Sequence, residues 1–66
     1  MDFTHPYVER CYRGQERDEK TGNLKTVLVV FAKIDLQDPI FEAELHTASV
    51  EYMRGRSIDA AVFVQA

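Results

Sequence analysis

The apolar run at residues 27–32 constrains the fold of this chain more than any other feature, because all six positions are apolar. Side chains of a β-strand alternate between the two faces of its sheet, so a strand through this run is apolar on both faces. A chain of 66 residues has too little material to cover both faces. The sequence therefore predicts a sheet with one face left for a second subunit or a partner protein.

The length predicts a single domain spanning residues 1–66. A domain of this size buries only about 60% of the surface that its unfolded chain exposes, so we expect it to need reinforcement. Cys11 is the only cysteine and cannot form an internal disulfide, and His5 and His46 add too few ligands for a zinc site. We therefore expect no metal and no cofactor, and oligomerisation is the simplest remaining reinforcement.

A β-hairpin is predicted around the polar segment 18–23, in which Gly22 can adopt the left-handed conformation that closes a short loop. The flanking strands are expected at residues 7–15 and 24–36, in a register that places Glu16 opposite Lys25. Apolar residues at helical spacing leave a short helix over residues 5–13 as an alternative to the first strand.

Asp38 and Pro39 predict the start of a helix, since Asp favours the N-cap and Pro favours the first helical position. The predicted helix ends near Arg54, with Gly55 as its C-terminal cap. Its apolar stripe consists of Phe41, Leu45, Ala48 and Tyr52. Apolar and polar residues also alternate over residues 41–47, so a strand over residues 40–54 stays open as the alternative.

Residues 58–65 predict a last strand, which completes a small α+β domain with the order β-β-α-β: an antiparallel hairpin, one helix and a C-terminal strand. If the middle segment is a strand instead, the order becomes β-β-β-α. The helix is expected to cover one face of the sheet. The core residues predicted to be buried against one another are Leu28, Val30, Ile34, Leu45 and Val62.

No catalytic motif is present in the sequence, so we expect that the protein is not an enzyme. Neither His5 nor His46 has a neighbouring nucleophile in a recognisable motif, and Cys11 is expected to be a half-buried small side chain. An acidic group near the predicted start of the helix could hold a cation or imitate nucleic-acid phosphates, but it also fits the dipole at a helix start. Its members are Asp35, Asp38, Glu42 and Glu44.

A nucleic-acid-binding protein is the alternative function, because basic residues with interleaved tyrosines surround the predicted hairpin. These residues are Arg10, Arg13, Arg17, Lys20 and Lys25. Neighbouring acidic residues and a net charge of −3 count against this function. Residues 1–33 carry six basic and five acidic groups whereas residues 34–66 carry two and six, an asymmetry that suits a mixed-charge interface.

The favoured hypothesis is a small protein-binding module that acts by occupying a surface and forms a homodimer through its sheet. Its size is typical of inhibitors and accessory subunits of phages and mobile elements. We expect no signal peptide and no membrane span, and the single cysteine favours the cytoplasm. The residues predicted to form the binding face are Val8, Tyr12, Val27, Val29, Phe31 and Phe63.

Overall fold

The computed structural model describes residues 3–66 and arranges them in the order β-β-α-β. The elements are β1 (Val8–Arg17), β2 (Leu24–Ala32), α1 (Pro39–Met53) and β3 (Ala60–Gln65). The sheet has the strand order β1-β2-β3, with β1 antiparallel and β3 parallel to the central strand. The predicted α+β class and element order are therefore confirmed, and the β-β-β-α alternative is wrong.

The hairpin forms as its loop residues predict. Gly22 has a φ of 76°, the left-handed conformation that glycine adopts without a steric penalty. The Asp18 side chain accepts a hydrogen bond from the backbone N–H of Lys20 at 2.8 Å, which orders the loop. Glu16 pairs with Lys25 in the antiparallel register, as expected. Since β1 begins at Val8, the short helix over residues 5–13 does not form.

β2 ends at Ala32 rather than at residue 36, because the chain turns before the helix begins. The side chain of Asp35 accepts a hydrogen bond from the N–H of Gln37 at 2.9 Å, and its carbonyl accepts one from the N–H of Asp38 at 3.1 Å. An Asp side chain that bonds two residues ahead mimics a backbone turn. Ile34 and Leu36 still pack against the core from this turn.

The helix starts and ends where the sequence predicts. Asp38 is the N-cap, and its side chain accepts a hydrogen bond from the N–H of Ile40 at 2.9 Å. Pro39 follows at the first helical position, where a missing donor costs nothing. Arg54 is the C-cap and Gly55 has a φ of 77°, as expected for the residue that ends a helix in the left-handed conformation.

The core lies between α1 and one face of the sheet. Its buried apolar residues are Val8, Leu28, Val30, Ala32, Leu45 and Ile58. The predicted burial of Leu28, Val30 and Leu45 is confirmed, but the prediction for Val62 is wrong, because this residue is 42% exposed. The parallel register pairs Leu28 with Ala61 and Val30 with Phe63. Paired residues share a face, so β3 turns its odd-numbered side chains toward the core.

Candidate protein-binding surface

The face of the sheet opposite α1 is apolar, and we call it the open face. β1 and β2 pair Arg10 with Phe31 and Tyr12 with Val29, and β3 adds Val64 opposite Phe31. Because none of these residues belongs to the core cluster on the helix side, the alternation of side chains assigns them to the other face. The open face consists of Arg10, Tyr12, Val27, Val29, Phe31, Val62 and Val64.

Two aromatic rings and a guanidinium group form the centre of the open face. The rings of Tyr12 and Phe31 are stacked with their centroids 6.1 Å apart, and the Arg10 guanidinium carbon lies 3.9 Å from the centroid of Phe31. This distance is well within the range of a cation–π contact. Tyr12 is 47% exposed, so the cluster is accessible. Aromatic residues and arginine are enriched at the residues that dominate binding energy in protein interfaces.

The predicted binding face is corrected at Val8 and Phe63, which lie on the helix side. A bulge between Val8 and Arg10 shifts the alternation of β1, so Val8 turns into the core. Phe63 is opposite Val30, packs against the core, and its ring lies 6.4 Å from that of His46 on α1. Val62 and Val64 take the place of Phe63 on the open face. The remaining predicted residues, Tyr12, Val27, Val29 and Phe31, lie on that face, but Val27 is only 6% exposed and offers little surface. The role of these residues in binding stays a prediction.

The charges around the open face differ between its two ends. At the end where β2 finishes lie Arg10 and Lys33, both basic. At the other end Glu16 pairs with Lys25, and Asp59 precedes β3 with its side chain accepting a hydrogen bond from the N–H of Thr26 at 2.9 Å. With Glu9 counted, the first end carries one net positive charge. At the other end Glu16 and Lys25 cancel, and Asp59 leaves one net negative charge. An interface that places opposite ends together would be electrostatically complementary.

The basic residues of the hairpin do not share one surface. Arg10 and Lys25 belong to the face opposite α1, whereas Arg13 pairs with the core residue Leu28 and so lies on the helix side. Arg17 donates a hydrogen bond from Nη1 to the carbonyl of Gly22 at 2.7 Å, and Lys20 lies in the loop. A single basic track for a nucleic-acid backbone is not assembled.

The acidic side chains near the start of α1 make local structural contacts. Asp35 and Asp38 accept backbone hydrogen bonds in the turn and at the N-cap, and Glu42 lies in the first turn of α1. Glu44 accepts a hydrogen bond from the hydroxyl of Tyr7 at 2.9 Å. Among residues 3–66, no group of three or more His, Cys, Asp or Glu is arranged to hold a metal ion.

A shallow cavity of about 460 Å³ lies between the N-terminal segment and α1. Its lining residues are His5, Ala43, Glu44, Thr47 and Ala48. His5 Nδ1 accepts a hydrogen bond from the N–H of Tyr7 at 3.1 Å, and the Tyr7 hydroxyl bonds to Glu44. The hydrogen bond to Glu44 is the main cause of a raised Tyr7 pKa. The polar groups of this cavity therefore tie the N-terminal segment to the helix.

The single cysteine also makes a structural contact. Cys11 is half-buried, packs against the core on the helix side, and directs its thiol toward the carbonyl oxygen of Phe3 at 3.6 Å. This placement agrees with the expectation of a small half-buried side chain.

Comparison with protein-family models, with curated proteins and with solved structures finds no match for this chain. In the part of the chain that the structure describes, no helix is both long enough and apolar enough to cross a membrane.

Proposed function

We propose that this protein is a small protein-binding module that acts by occupying a surface, with the open face as its binding surface. The observation that carries the proposal is the apolar open face, where Phe31, Tyr12 and two exposed valines lie opposite the side covered by α1. Exposed apolar patches of this kind typically mark interaction sites. Small inhibitors and accessory subunits work by such occupation, and a single cysteine suits the reducing cytoplasm.

The occupant that the charges favour is the open face of a second copy. In a two-fold arrangement with antiparallel stacking, the positive end with Arg10 and Lys33 lies against the negative end of the other copy with Asp59. Both apolar faces are then buried between two sheets, about 10 Å apart. Such a contact is isologous, because the same residues contribute from both chains.

Sedimentation equilibrium of Phe31→Glu tests this proposal. We expect the wild type to sediment above the 7.6 kDa of one chain, and Phe31→Glu to halve the wild-type mass. Because the Arg10 guanidinium lies 3.9 Å from the Phe31 ring centroid, we expect it to pair with the introduced carboxylate, which favours a folded variant. The matched control is Ile40→Glu, which places the same charge on an apolar side chain that is 68% exposed on α1.

Circular dichroism establishes that both variants are folded before their masses are compared. The proposal is supported when Phe31→Glu halves the mass and Ile40→Glu retains it. A wild type that sediments at 7.6 kDa, or a folded Phe31→Glu that retains the wild-type mass, contradicts the second copy as occupant.

A further inference from the structure

The two edge strands of the sheet are protected differently against pairing with another strand. β1 carries Glu9, Arg10, Arg13, Glu16 and Arg17 and contains a bulge, both of which discourage pairing at an edge. β3 has the sequence AAVFVQ, with no charged residue and no proline. Within residues 3–66, no strand pairs with the outer side of β3. An unprotected, mostly apolar edge is the type at which a further strand adds to a sheet.

The hydrogen bonds of β2 determine which groups of β3 face outward. The N–H of Lys33 donates to Tyr7 and the N–H of Asp18 donates to Asn23, so the odd-numbered residues of β2 bond to β1. The even-numbered residues are left for β3, and the N–H of Ala66 indeed donates to the carbonyl of Ala32 at 2.9 Å.

The same alternation applies along β3. Its even-numbered residues direct their backbone groups toward β2, so the N–H and C=O groups of Ala61, Phe63 and Gln65 project from the free edge. These three residues form the outward ladder that another strand would meet.

We infer that β3 pairs antiparallel with β3 of a second copy, across a two-fold axis at Phe63. In this register the backbone of Phe63 exchanges two N–H···O=C hydrogen bonds with Phe63 of the second copy. Ala61 of each chain exchanges two such hydrogen bonds with Gln65 of the other chain. Each outward N–H and C=O group of Ala61, Phe63 and Gln65 then has a hydrogen-bond partner in the second copy. On the open face, Val62 lies beside Val64 of the second copy, which extends the apolar surface across both chains.

A second copy fits this edge better than a charged segment because β3 is neutral and its pairing about Phe63 is self-complementary. The inference goes beyond the proposed function, since edge pairing and contact between open faces use different surfaces. Both contacts together, with two-fold axes at right angles, give a closed assembly of four chains of 7.6 kDa, about 30 kDa.

Ala61→Pro tests the edge contact, because proline removes an outward N–H and leaves the bonds to β2 in place. The control is Ala61→Ser, a small residue that retains the N–H. In the Phe31→Glu background the contact between open faces is absent, so we expect a dimer of two 7.6 kDa chains, with a mass of about 15 kDa. Adding Ala61→Pro should reduce this mass to 7.6 kDa, and adding Ala61→Ser should leave it unchanged.

A folded Phe31→Glu variant that already sediments at 7.6 kDa overturns the edge pairing, and does not contradict the contact between open faces. The converse outcome is a wild type of about 15 kDa that becomes monomeric with Ala61→Pro alone and keeps its mass with Phe31→Glu. That outcome supports edge pairing and contradicts the contact between open faces. The two proposals therefore fail in distinguishable ways.

Hydrogen exchange in the wild type provides a second measurement that needs no substitution. The N–H of Val62 points toward β2 and serves as the internal control, whereas the N–H of Phe63 points outward. With edge pairing, the Phe63 amide is protected at high protein concentration, and dilution increases its exchange rate far more than that of Val62. A Phe63 amide that exchanges like a solvent-exposed group at all concentrations overturns the inference.

Discussion

Ser49 is fully buried in α1, and its Oγ has no hydrogen-bond partner within the part of the chain that the structure describes. A buried hydroxyl without a partner loses its bonds to water and gains none in return, which costs about 1–3 kcal/mol. The position instead provides a small side chain where the helix meets the sheet. We therefore assign it a packing role.

Ser49→Ala should stabilise the protein by about 1 kcal/mol, because it removes the unpartnered hydroxyl and raises helix propensity. Urea denaturation of wild type and variant measures the difference. Thr47→Ala is the control, since Thr47 is exposed on the same helix and reports the gain from propensity alone. A loss of stability in Ser49→Ala would mean that the hydroxyl has a favourable role in the core.

Among the elements, those with strong local signals were predictable from the sequence. The helix was predicted from Asp38, Pro39 and Gly55, and the hairpin from Gly22, because each of these residues favours a particular backbone conformation by itself. The inward face of β3 was not predictable from its pattern. Each set contains bulky apolar side chains, Phe63 in one and Val62 and Val64 in the other, so only the register with β2 selects the face.

The proposed binding surface was predictable only in part for the same reason. Tyr12, Val27, Val29 and Phe31 follow from the alternation of the hairpin strands. Val8 was assigned to the wrong face because a bulge adds one residue to β1, and no residue in that segment predicts a bulge. For β3, Gln65 pointed to the wrong face, because a polar side chain on the same face as Phe63 favours placing that face outward.

The Gln65 side chain fixes the end of β3 against the connection between β2 and α1. Its amide nitrogen donates to the carbonyl of Ile34 at 2.6 Å, and its Oε1 accepts from the N–H of Leu36 at 2.9 Å. Gln65→Leu should therefore destabilise the protein by about 1 kcal/mol or slightly more. Gln37→Leu, on an exposed side chain of the same connection, is the control in urea denaturation. Equal stabilities of the two variants would contradict this role.

At the scale of the whole molecule, the proposed contacts would couple folding to association. A domain of 66 residues buries little apolar surface on folding, so its stability is small. Here one apolar face and one neutral strand edge also lie outside the core. Association that requires the folded state stabilises that state by mass action. The stability of this protein should therefore depend on its concentration.

Thermal denaturation at a series of protein concentrations measures this dependence. The wild-type midpoint should rise steadily with concentration, because each increase favours the assembled, folded chains. Phe31→Glu combined with Ala61→Pro removes both proposed contacts, so its midpoint should be lower and independent of concentration. The double variant Ile40→Glu with Ala61→Ser carries changes of similar kind but leaves both proposed contacts in place, so its midpoint should follow that of the wild type. A wild-type midpoint that does not move with concentration would show that the domain is stable as a monomer, with both surfaces exposed to water.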